Sequence, residues 1–149
     1  MSPGLFGAAA AILAAILYLA IAGLHAYWAL GGVWPGRDHD SLHRMVVGGP
    51  SGQFSPGPLA TWMVAAILVG AAATVLGGAG LIPTPIPGAW LRTAALVGAA
   101  VLILRGLEGF VDTRVRPSTA GGPFARLNVR LYSPLCLFLA LCTILAVRG

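Results

Sequence analysis

Four apolar runs, each close to the length of a membrane span, constrain this chain more than any other feature. They cover residues 5–30, 59–82, 91–111 and 127–147. About 20 apolar residues in an α-helix cross the ~30 Å hydrocarbon core of a bilayer. Because a segment in lipid must satisfy its own backbone polar groups, runs this rich in Ala and Leu are expected to be helices. The sequence therefore predicts an all-α fold, a four-transmembrane-helix bundle that forms one domain over residues 1–149.

The composition excludes the main soluble alternatives. Of the 149 residues, 58% are hydrophobic and only 9% are charged, whereas soluble domains carry roughly 25% charged residues. A disordered tail or a nucleic-acid-binding module needs far more charge, and two cysteines are too few for a disulfide scaffold. We therefore expect an integral protein of the cell membrane, with the lipid bilayer as its surroundings and no nucleic-acid partner.

The first run has a second interpretation, a secretory signal that is cleaved. Residues Ala20 to Ala22 have the small-residue pattern of a cleavage site. Signals begin with a positively charged segment, and Met1 to Gly4 contain no Lys or Arg. We therefore expect the first run to be a transmembrane helix.

The connections between the runs differ in length and charge. A turn with three prolines at residues 83–88 predicts a stiff hairpin between the second and third runs. The connections 31–58 and 113–126 are long, and by alternation they lie on the same side of the membrane. Arginines on that side are Arg37, Arg44, Arg114, Arg116, Arg126 and Arg130, against Arg92 and Arg148 on the other side. The positive-inside rule then predicts cytoplasmic long loops and both termini outside.

The two long connections also share a local pattern. Each contains Gly-Gly-Pro, and each is expected to enter the next helix through a proline, Pro58 or Pro134. The pattern suggests a two-fold repeat of helix, long loop and helix. A chance similarity between short Gly/Pro-rich segments is the alternative.

Polar and aromatic side chains gather where the runs meet the long loops. Ionisable residues at membrane depth are costly and mark a functional site by default. Arg105 and Glu108 are three positions apart, so they share a helix face and can pair. Gly98 and Gly109 extend that face, where a neighbouring helix could approach closely. The predicted ligand-binding residues at this end are His25, Trp28, Trp62, Arg105, Glu108 and Tyr132. The alternative is a structural one, a buried Arg–Glu pair that latches the bundle, with Tyr and Trp as interfacial anchors.

Metal and haem sites are weakly supported. His39 and His43 have the i, i+4 spacing of two zinc ligands, with Asp40 between them. The segment lies between Pro-Gly breaks and has no evident third ligand, so we expect a solvated loop turn and no metal site. Haem ligation by two histidines would need a second His within the spans besides His25.

The chain resembles a family of small bacterial membrane proteins, common in actinobacteria and catalogued as a domain of unknown function. The resemblance rests on residues 25–32 followed by Trp34-Pro35, on Arg105-Gly106 and on residues 131–136. It extends over essentially the whole chain. What it implies is a four-helix membrane fold, without an established activity, substrate, cofactor or catalytic residue.

Two functions are weighed. The first is a pocket for a small amphipathic or anionic molecule such as a lipid headgroup or a quinone. Arg105 would contact an anion or carbonyl, His25 and Tyr132 would donate hydrogen bonds, and Trp28 or Trp62 would form a wall. A quinone reductase would extend this function, with His25 as proton donor, but nothing in the sequence binds a flavin or nicotinamide. The second is a non-catalytic accessory subunit that packs on a partner or on itself. An open cavity that reaches His25 would favour the first.

Overall fold

A computed structural model describes residues 4–48, 57–115 and 122–148. Within these ranges the chain is helical and contains no strand. The helices are α1 (Leu5–Ala29), α2 (His39–Val46), α3 (Pro58–Gly78), α4 (Gly88–Val115) and α5 (Pro123–Arg148). Helix α5 is α-helical over Pro123–Leu127, π-helical over Asn128–Tyr132 and α-helical again over Ser133–Arg148. Apart from α2, the helices are long and apolar enough to cross a membrane, which confirms the predicted fold class.

The four long helices pack as a ring. Helix α1 lies against α3 and α5, and α4 lies against the same two helices, so α1 and α4 occupy opposite corners. The centre is built mainly from alanines, with Val75 and Leu139 as the largest fully buried apolar side chains. Leucine, isoleucine and valine side chains cover much of the outer surface. Small residues inside and large apolar residues outside suit helices that associate in lipid, where close backbone approach is favourable.

The hairpin between α3 and α4 is short, as predicted, and its start is set by a glycine. Gly80 has a φ of +73°, and the Leu81 amide donates to the Leu76 carbonyl at 2.9 Å. This hydrogen bond is typical of a Schellman motif, in which a residue with positive φ ends a helix. Helix α3 therefore ends at Gly78, earlier than the apolar run at 59–82 indicates.

The expectation of a solvated turn around His39 and His43 is wrong, because these residues belong to helix α2. Asp38 caps the helix. Its Oδ1 accepts a hydrogen bond from the Ser41 amide at 2.7 Å, and the Ser41 hydroxyl accepts one from the Asp38 amide at 3.0 Å. This reciprocal capping box satisfies amide groups that the first helical turn leaves unpaired. The short polar segment thus has its own helix-starting signal.

The expectation that Pro134 begins a helix is also wrong, whereas Pro58 is the first residue of α3 as predicted. Helix α5 begins at Pro123, and Pro134 lies inside it. An internal proline has no amide hydrogen to donate to the carbonyl of Arg130, four residues earlier, and its ring clashes with that carbonyl. The π-helical segment Asn128–Tyr132 ends two residues before Pro134 and widens the helix next to the proline. Parts of both Gly-Gly-Pro segments lie outside the described residues, so the two-fold repeat stays a prediction.

Candidate functional site

A cavity of about 240 Å³ opens at the long-loop end of the bundle, between α1, α2 and α3. Its lining residues are His25, Trp28, His39, Leu42, His43, Val46, Val47, Ala60, Thr61 and Val64. The C-terminal turns of α1 and the N-terminal turns of α3 form two of its walls. Helix α2 and the residue that follows it form the third wall.

Helix α2 faces the cavity with one side. His39, Leu42, His43 and Val46 are spaced by three or four residues, so they lie on a single helix face. Two contacts hold α2 against the start of α5. The Tyr132 hydroxyl donates to the Met45 carbonyl at 3.2 Å, and Gly48, with a φ of +80°, packs against the ring of Phe124. A Cβ at Gly48 would lie 2.8 Å from that ring, which explains the small residue.

His25 is oriented by its own helix. Its Nδ1 lies 2.8 Å from the Ile21 carbonyl. A carbonyl can only accept, so Nδ1 carries the proton, and in the neutral ring Nε2 on the opposite edge is left as an acceptor. The imidazole meets the indole of Trp28 edge to face, with ring centroids 5.0 Å apart. Trp28 is fixed in turn, because its Nε1 donates to the Trp34 carbonyl at 2.7 Å.

Thr61 repeats this arrangement on α3. Its hydroxyl donates to the carbonyl of Gly57 at 3.2 Å, and its oxygen keeps lone pairs that can accept. Trp62, the next residue, is 44% exposed and is not among the residues that line the cavity. Of the predicted ligand-binding residues, the structure therefore places His25 and Trp28 together at the cavity.

Arg105 and Glu108 lie elsewhere, on α4, and form the predicted pair with 3.1 Å between Arg105 Nη1 and Glu108 Oε2. The pair is not buried, since the two side chains are 39% and 59% exposed. The buried partner is Asn128, which sequence reasoning missed. Arg105 Nη2 donates to Asn128 Oδ1 at 3.1 Å, and Asn128 Nδ2 donates to the Gly109 carbonyl at 3.2 Å. These bonds join α4 to the π-helical part of α5.

Two glycines allow this close approach of α4 and α5. A Cβ at Gly109 would overlap the Ser133 hydroxyl and lie 2.8 Å from Asn128 Oδ1, and one at Gly106 would lie 2.8 Å from Leu137. The predicted close approach is confirmed at Gly109, whereas a Cβ at Gly98 would meet nothing within 4 Å. The hydroxyl of Ser133 is fully buried and has no hydrogen-bond partner within the described part of the chain. The contact between α4 and α5 thus leaves no room for a Cβ at Gly106 or Gly109.

The structure divides the predicted residues into two groups. His25 and Trp28 belong to the cavity, and Arg105 and Glu108 belong to the contact between α4 and α5. Tyr132 connects the groups, because its ring lies near Phe124 at 6.3 Å between centroids while its hydroxyl reaches α2. Sequence reasoning left out His39 and His43 as cavity residues. Their spacing with Leu42 and Val46 was the available signal.

The cavity and its surroundings offer hydrogen-bonding groups and one notable carboxyl. Within the described parts of the chain, no three His, Cys, Asp or Glu side chains are placed to hold a metal ion. Outside the membrane spans, hydrogen bonds from the Ser41 amide, and then from its hydroxyl, lower the pKa of the Asp38 carboxyl. This carboxyl therefore stays ionised at the start of α2, where negative charge is favourable.

Four long apolar helices around a core of small residues make this a multi-pass membrane protein. The chain belongs to the family of proteins of unknown function DUF3995, whose model matches residues 18–143. The match confirms the family resemblance and includes residues of every helix. Bacterial and actinobacterial origin stay predictions. No curated protein and no solved structure matches the chain significantly.

Proposed function

We propose that this protein binds a small amphipathic molecule in the cavity between α1, α2 and α3. The observation that supports this proposal is the composition of the cavity lining. It combines an apolar wall with imidazole and hydroxyl groups at one end of the bundle. Ligand sites are typically apolar concavities with a few placed polar groups. Trp28 supplies the rigid wall and His25 the polar contact from within a span.

The size of the cavity supports a headgroup or a single ring system as the bound part. Its 240 Å³ greatly exceeds the ~30 Å³ share of one water molecule and falls just below the ~300–1,000 Å³ of typical drug-sized sites. The apolar tail of such a molecule would extend along the bundle into lipid. Tailed ring compounds and lipids both have this size and shape.

In this proposal Arg105 and Glu108 stabilise the packing of the helices and do not contact the ligand. Their contacts run to each other and to Asn128, away from the cavity lining. They hold α4 against α5, and Tyr132 on α5 holds the wall formed by α2. Trp62 has no proposed ligand contact. By the arginine distribution, we place the cavity at the cytoplasmic face and the termini outside.

The alternative is a non-catalytic accessory subunit that packs on a partner or on a second copy. Uncovered small residues support it, since a Cβ at Gly70 on α3 would meet nothing within 4 Å. Small residues on an open helix face permit close packing with another helix. The two functions differ in whether the cavity holds a molecule.

Native mass spectrometry of the protein extracted with its lipids tests the proposal. The parent should retain a small molecule that Ala60→Phe loses, because the larger side chain fills the cavity. Ala66→Phe is the matched control, on an exposed part of the same helix outside the lining. His25→Gln should also lose the molecule and remain folded. Equal retention by the parent and Ala60→Phe would exclude the cavity and leave the accessory function.

A further inference from the structure

This inference rests on the proposed function. The hydrogen-bond donors and acceptors that the cavity walls leave free indicate which chemical group the ligand offers. Two polar side chains that the long helices place at the cavity, His25 and Thr61, have their hydrogens committed to carbonyls four residues earlier. His25 Nδ1 donates to Ile21 at 2.8 Å, and the Thr61 hydroxyl donates to Gly57 at 3.2 Å. What remains for a ligand is Nε2 of the imidazole and the lone pairs of the hydroxyl. Both are acceptors.

A ligand that offers only acceptors fits these walls poorly. A quinone carbonyl or a carboxylate would meet lone pairs at His25 and Thr61 and would find no donor on these two side chains. The expectation that His25 donates to the ligand therefore needs revision, because its proton is held by the α1 backbone.

The charge of the lining residues restricts the chemical class of the ligand further. Among the described residues that line the cavity there is no Asp or Glu to balance an ammonium, and no Arg to balance a phosphate. Ions at membrane depth need such partners. The lining favours a neutral polar group.

Helix α2 contributes the opposite wall through His39 and His43. A neutral imidazole has one donor and one acceptor nitrogen, so the side chain of His39 can offer a hydrogen bond of either kind. A hydroxyl group both donates and accepts. Such a group can donate to the α1 or the α3 wall through its hydrogen and accept from α2 through its oxygen.

We infer that the ligand presents a neutral hydroxyl, whose hydrogen is donated to Nε2 of His25 or to Oγ1 of Thr61. A hydroquinone or another alkylated phenol has this chemistry, and so does a lipid with a free hydroxyl. An oxidised quinone lacks the donor, so the cavity discriminates the reduced from the oxidised form of such a ring.

Matched probes test this inference on the full-length protein in detergent. The first pair is 4-hexylphenol and its methyl ether 4-hexylanisole, and the second is 1,2-dioctanoylglycerol and its 3-O-methyl ether. Each ether keeps the shape of its parent and loses the donor. Affinities are measured by equilibrium titration, with Ala60→Phe as the background for partitioning into detergent. In the parent we expect the hydroxyl form of at least one pair to bind about tenfold more tightly.

Two variants test whether His25 and Thr61 cause the tighter binding of the hydroxyl form. Thr61→Val removes one acceptor with little change in shape, and His25→Phe removes the other while keeping a planar ring. Both should bring the affinity ratio toward one. Thr74→Val is the matched control, since Thr74 makes the same bond on α3, to Gly70 at 2.7 Å, outside the cavity lining. It should leave the ratio unchanged.

The outcomes separate this inference from the proposed function. Selectivity for the phenol points to a hydroquinone-like ring, and selectivity for the glycerol points to a hydroxylated lipid; either supports the inference. Equal or tighter binding of the ethers, abolished by Ala60→Phe, would overturn the inference and leave a binding cavity. Absence of saturable binding by all four probes would overturn both.

Discussion

The hydroxyl of Tyr18 on α1 lies 3.2 Å from Oγ1 of Thr143 on α5, at a point where both side chains are buried. This is a polar contact within an otherwise apolar core. A hydroxyl without a partner is costly in that environment. The bond therefore fixes α1 against α5 at one register and rotation.

Removing this bond should destabilise the bundle. We expect Tyr18→Phe to lower the free energy of unfolding by about 1 kcal/mol, because Thr143 loses its partner while the packing is retained. Thermal unfolding in detergent provides the measurement. Thr143→Val should have a similar effect, and the double variant should cost less than the sum of the single ones. Strict additivity would contradict a direct bond between the two residues.

Gly109 and Gly98 should respond in opposite ways to a methyl group. In Gly109→Ala the new Cβ overlaps the Ser133 hydroxyl, so α4 and α5 must separate. Overpacking of this kind costs about 1–3 kcal/mol. Gly98→Ala meets open space, and we expect it to be neutral or stabilising by up to about 1 kcal/mol through helix propensity. Thermal unfolding of the two variants in the same detergent compares their stabilities. Equal melting temperatures would be inconsistent with the close approach at Gly109.

Helix α2 should lose its cap in acid. Because hydrogen bonds lower the pKa of Asp38 in the folded protein, its contribution is fully present above the ordinary value of 3.8. It is lost as the pH falls through the lowered pKa, since the protonated carboxyl accepts the Ser41 amide less well. Carbon chemical shifts of residues 39–46, followed from pH 6 downward, should report the loss of helix.

The matched variants for this prediction differ in charge. Asp38→Asn keeps a good N-cap acceptor and should hold α2 with little dependence on pH over that interval. Asp38→Ala should weaken α2 at every pH. If Asp38→Asn retained the acid transition of the parent, another group would be responsible.

Orientation is predicted from the arginine distribution. In a background with Cys136 and Cys142 replaced by Ala, we introduce a cysteine at exposed Asp40 on α2 or at Ile86 in the proline turn. An impermeant thiol reagent should label Ile86→Cys in intact cells and should label Asp40→Cys only after permeabilisation. The reverse pattern would place the long loops outside.

The sequence by itself determined the number of spanning helices, the short turn and the pairing of Arg105 with Glu108. These features are local, because they depend on the length of an apolar run, on proline and on a spacing of three residues. The cap of α2 is equally local, and Asp38 and Ser41 could have revealed it. The rotation of each long helix was not determined, since the spans are apolar on nearly every side and carry no period that selects an inner face.

Only the tertiary structure decided which polar residues share a site. Packing of small residues placed α1 and α4 at opposite corners, which separates His25 from Arg105 although both lie near the same end. It also paired Arg105 with Asn128, a buried residue of the π-helical turn that precedes Pro134. Contacts between distant parts of the chain depend on how four helices fill space together, and no single segment encodes that arrangement.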